Sequence, residues 1–175
     1  SLTTNNLLWI LEEFKKKEVE FKDRLKTFKD EKKQETATTI NTKLGEQHER
    51  GTAELKKRIE NLATMLEKLV NVAQQQGVSG DTLTTAISEA KTAITDAQSA
   101  LNDEAGKQYV ASVSSETTLR TDMKTVIASV RSGLEAVQKK ITLAKQELMD
   151  IVQLVRNAKA TVTPTSEPAT TSAGL

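Results

Sequence analysis

The sequence predicts an all-α protein: an elongated antiparallel helical hairpin or bundle with coiled-coil packing. Three observations carry the prediction. Both prolines, Pro164 and Pro168, lie near the end, so nothing before them removes a backbone donor, and seven glycines are the only strong punctuation. Aromatic residues number five (Trp9, Phe14, Phe21, Phe28 and Tyr109), a composition of long helices rather than of sheets. Apolar residues also recur at helical periods over most of the chain.

The first segment places Leu7, Leu11, Phe14, Phe21, Leu25 and Phe28 on one heptad seam, with Glu18 at the skipped position. Rings at repeated positions of one heptad imply a wide interface, and these six residues are the candidate interaction seam. Residues 29–36 are polar all round, a place for the helix to be solvated, bent or broken. The pattern then changes period. Ile40, Gly51, Leu62 and Ala73 are eleven apart, as are Leu44, Leu55 and Leu66, and Ala37, His48, Ile59 and Val70. A continuous first helix over 4–76 is the favoured reading, and a break near 29–36 that turns three helices into four is the alternative.

Gly77 suits a left-handed C-cap, and Ser79 or Asp81 an N-cap, so residues 74–81 predict a turn. Leu83, Ile87, Ala90, Ile94, Ala97 and Leu101 form the seam of a second helix over 80–105, whose alanines allow close helix approach. Lys107–Ser114 reads as a connector. A third helix, about 115–160 and capped by Ser114 or Ser115, carries Leu119, Met123, Val126, Val130, Leu134, Val137, Ile141, Ala144, Leu148, Ile151 and Val155, with one inserted step at 126–134. Residues 1–160 thus form a single helical domain, and 161–175, rich in Thr, Ser and Pro, read as a disordered tail. If the third helix starts beside the end of the second, it overshoots the 77–80 turn by about 30 Å at 1.5 Å per residue, and residues 4–45 overhang the other end.

Net charge is +1, so no long-range field selects nucleic acid, and Lys15–Lys17 are offset by Glu12, Glu13, Glu18 and Glu20. Cysteine is absent, which excludes disulfides and thiolate chemistry. No apolar run approaches the roughly 20 residues that span a bilayer, and no signal peptide is recognisable. The chain opens on Ser, which fits a fragment, a trimmed product or a mature exported protein.

No catalytic, metal, cofactor or small-molecule site is predicted. A di-metal carboxylate site needs two Glu-x-x-His motifs, whereas His48 is the only histidine and has no Glu three residues before it. Triad catalysis would need the same residue, mid-helix and without a nucleophile elbow. Adjacent carboxylates such as Asp103 with Glu104 point to different azimuths and read as solvated faces.

Ala-Lys-Thr-Ala-Ile-Thr-Asp-Ala-Gln-Ser-Ala-Leu (90–101), Ala-Gly-Lys-Gln-Tyr (105–109), Glu-Thr-Thr-Leu-Arg (116–120), the Val/Lys/Ala helix after them and the Thr/Pro-rich tail resemble uncharacterised secreted helical proteins of ultra-small candidate-phyla bacteria. The resemblance spans 90–160 and implies secretion or cell-surface display, with no known activity.

The sequence therefore points to a non-enzymatic structural or protein-interaction scaffold whose partner is a second copy of itself or another protein. One alternative is an amphipathic membrane-surface protein, less favoured because Glu is mixed with Lys on its polar face. The other is a stalk or sensor fragment of a longer membrane protein, suggested by the change of period.

Overall fold

The computed structural model describes residues 4–161, with side chains from residue 8 to 160; the predicted tail lies outside the described residues, apart from Thr161 at the end of the last helix. Among the described residues four helices pack together: α1 (Thr4–Lys26), α2 (Glu31–Gln75), α3 (Asp81–Ala105) and α4 (Leu119–Thr161). The continuous helix over 4–76 is corrected to two, with the break at 27–30. Asp30 caps α2 by accepting from Lys33 N, and Gln34 Nε2 donates to Phe28 O across the turn. The long polar stretch thus starts a helix instead of bending one.

Gly77, at φ 66°, ends α2 in a Schellman motif: Val78 N donates to Ala73 O and Gly77 N to Gln74 O. Val78 packs on the core beside it. Gly80, at φ 131°, is the residue before α3, with no side-chain cap, so neither Ser79 nor Asp81 fills that role. The cap predicted at 114–115 also moves. Ser115 Oγ accepts from Thr118 N, but the α-helix begins only at Leu119, and Asp122 Oδ2 reaches back to Ser114 N.

The anticipated overshoot of the last helix past the 77–80 turn does not occur, because the connector changes the arithmetic, whereas the first half of α1 still leaves Leu8, Trp9 and Leu11 exposed. After Gly106 the chain runs non-helically along α2 toward its start: Glu104 meets His48, Ala111 N donates to Asn41 Oδ1, and Glu116 accepts from Lys29 N and Lys33 Nζ. The connector therefore returns α4 to the beginning of α2, and α4, at about 65 Å long, runs beside nearly the whole of α2.

Two core clusters follow. Leu55, Ile59, Leu62 and Leu66 of α2, Leu83, Ala90, Ala97 and Leu101 of α3, and Val137, Ile141, Leu148 and Ile151 of α4 make a three-helix core. Where α3 has ended, Phe21, Leu25 and Phe28 take its place, packing with Ala37, Leu44, Ala111, Val113, Met123 and Val130. Leu134 touches both clusters and sits against Gly51, where a Cβ would lie 2.8 Å from Leu134 Cδ1. All three eleven-residue series of α2 are buried or half-buried.

Candidate functional site

At the junction of the two clusters lies a buried polar centre. Glu104, in the last turn of α3, is 2% exposed. Its Oε1 accepts from Tyr109 Oη at 2.7 Å and lies 3.2 Å from His48 Nε2, while Oε2 accepts from Lys107 Nζ at 2.8 Å. An ionised carboxylate only accepts, so the hydrogen shared with His48 sits on Nε2. The edge of one ring meets the face of the other between His48 and Tyr109, with centroids 4.9 Å apart. Gly133 of α4 opens the space: a Cβ there would collide with both carboxylate oxygens.

Burial pushes the Glu104 carboxyl up, but the bonds from Lys107 and Tyr109, with the charges of Lys107 and His48, more than reverse this and hold it below the ordinary carboxylate range. The Tyr109 phenol is raised by its burial and by Glu104, so it stays protonated and donating.

A depressed folded pKa contributes stability above the unfolded-state value, near 4.3, that is lost as pH falls through the folded value. Urea midpoints are therefore expected to fall from pH 5 to pH 3 in the natural protein, and to fall less in a Glu104→Gln variant; parallel acid limbs would contradict the assignment.

Beside this centre is a cavity of about 430 Å³ bounded by Phe14 and Glu18 of α1, Asn41, Gly45 and Glu49 of α2, and Gln108 of the connector, among others. The hydroxyls at its wall are already engaged, Thr42 donating to Thr38 O and Thr52 to Glu49 O. Neither threonine hydroxyl is paired with a base, and the third hydroxyl of the lining, that of Tyr109, is held by Glu104. Among the described residues, no group of three His, Cys, Asp or Glu side chains is placed to hold a metal ion.

The predicted seam divides. Phe21, Leu25 and Phe28 are core, Phe14 is half-buried, Leu11 is 49% exposed, and the Leu7 side chain lies outside the described ones. Leu8, Trp9 and Val19 are also exposed, at 55%, 63% and 56%. His48, read as a lone seam residue, has a carboxylate partner, and Glu104, read as solvated, is buried. The heptad held the signal: Leu83, Ala90 and Ala97 are seven apart, and the next position is Glu104. Gly133 likewise fills the seam step between Val130 and Val137, where Leu134 had looked like an insertion.

No helix among the described residues is long and apolar enough to cross a membrane. No protein-family model, curated protein or solved structure matches the chain.

Proposed function

We propose that this chain is a non-catalytic helical scaffold that works through protein contacts, self-association first among them, made by the free half of α1. One observation carries the reading: Leu8, Trp9, Leu11 and Val19 stay exposed on a helix whose buried contacts to the body come from Phe21 and Leu25, with Phe28 just beyond. Large apolar side chains gathered on one short segment mark an interaction surface. The Glu104 centre supports the non-catalytic reading, since its three donors leave the carboxylate committed to holding helices together. Export to the cell surface is part of the proposal and is supported by the resemblance of residues 90–160.

Light scattering with small-angle X-ray scattering over a concentration series tests it. Mass is expected to rise above the monomer, and Leu8→Glu with Leu11→Glu to return it to the monomer with its helicity kept. A monomer at every concentration opposes self-association. The exposed Trp9 beside Leu8 gives the lipid-surface reading a specific footing. In that case Trp9 emission shifts blue on phosphatidylglycerol vesicles, and an unchanged spectrum removes it.

A further inference from the structure

The α1 helix carries two stripes, one apolar and one of mixed character. Phe21 and Leu25 point into the body, whereas Leu8 and Val19, both exposed, share another line with Glu12 and Lys15 within an arc of roughly 60°, about 130° round the helix at 100° per residue. Glu12 and Lys15 are exposed, and neither takes part in an ion pair among the described residues. Along α1 this second stripe reads apolar, acidic, basic, apolar: Leu8, Glu12, Lys15, Val19.

The order is complementary to its own reverse. When a second α1 is laid antiparallel about the midpoint between Glu13 and Phe14, Leu8 meets the partner's Val19 and Glu12 meets the partner's Lys15, and the two-fold axis repeats both contacts. A parallel, in-register pair sets Glu12 against Glu12 and Lys15 against Lys15, which is repulsive. The geometry points to a two-fold antiparallel α1–α1 contact between two copies of this chain, centred on the Glu12–Lys15 pairs. It rests on the self-association reading and specifies partner, orientation and register. The second copy approaches on the side away from Phe21 and Leu25, so the four-helix body need not open. Such an isologous contact closes as a dimer, leaving no unsatisfied copy of the patch to propagate a filament.

The chain has no cysteine, so single thiols report pairing without background. Leu8→Cys and Val19→Cys variants are mixed under mild oxidation and resolved by non-reducing electrophoresis. The mixture is expected to give several-fold more covalent dimer than either variant alone, because in the antiparallel pair each position lies about 16 Å along the axis from its own copy, beyond the roughly 7 Å Cα separation that a disulfide tolerates. Glu12→Lys and Lys15→Glu should each weaken association, and the double exchange should restore it.

Efficient trapping of Leu8→Cys with itself overturns this register and shows a parallel pair, leaving self-association standing. A dimer by light scattering that neither the mixture nor the charge exchange affects also overturns the register alone. A natural protein that stays monomeric overturns both.

Discussion

Glu104→Ala is expected to lower the unfolding free energy by about 3 kcal/mol, because two buried donors lose their acceptor at roughly 1–3 kcal/mol each. Lys107, whose side chain is 55% exposed, recovers water. The cost falls on His48, 8% exposed, and on the Tyr109 hydroxyl, both of which lose an ionised acceptor. Gly133→Ala attacks the same centre from the other side. Alanine gains about 1 kcal/mol of helix propensity, but its Cβ would collide with a carboxylate that three donors hold still, so a net loss of about 1–3 kcal/mol is expected. The two changes should not add. Once residue 104 is alanine, the collision is gone and the methyl introduced by Gly133→Ala fills part of the space, so the double variant is expected to be no less stable than Glu104→Ala alone. Urea unfolding of all four proteins yields the coupling energy directly, and simple additivity would mean that Gly133 does not serve Glu104.

The sequence revealed more of the helices than of their ends, for a physical reason. Burial on a helix imposes a period, and the periods of α2, α3 and α4 were visible as runs of Leu, Ile, Val and Ala. Where a helix stops depends on capping that several nearby residues can supply, and the alternatives at Ser79, Asp81, Ser114 and Ser115 are close in energy. The break at 27–30 draws on local caps from Asp30 and Gln34 and also on a distant partner: Glu116, more than eighty positions later, accepts from Lys29 N and Lys33 Nζ. The connector's path depends on Asn41 and Glu116 finding partners across the fold, which no periodicity encodes. Polarity made Glu104 look solvated although its register was correct, since a charge on a seam is buried only when the other helices bring donors to it. The α1 seam was legible as apolar, but the body covers only its end.

Phe21→Ala is expected to separate α1 from the rest of the molecule rather than to unfold it. Truncating a buried Phe costs about 3–5 kcal/mol, and full burial of a Phe or Leu side chain contributes about 1.5–3 kcal/mol. Among the described side chains, only Phe21, Leu25 and Phe28 provide such burial for the α1 end, so this one loss is comparable to much of what docks the helix, before the entropy of ordering it is counted. The three-helix core contains none of these residues and keeps Ile59, Leu148 and Ile151 fully buried. Hydrogen exchange is therefore expected to lose protection across α1 in Phe21→Ala while α2 from Leu55 onward, α3 and the second half of α4 keep theirs, and Lys16→Ala should change neither. Uniform loss of protection throughout would mean that α1 and the core unfold as one unit. Undocking in this variant also bears on assembly: if the free half of α1 pairs with another copy, loss of Phe21 should loosen the attachment of each body to that contact, and small-angle scattering should show a broader distribution of distances between the two bodies while the dimer mass persists.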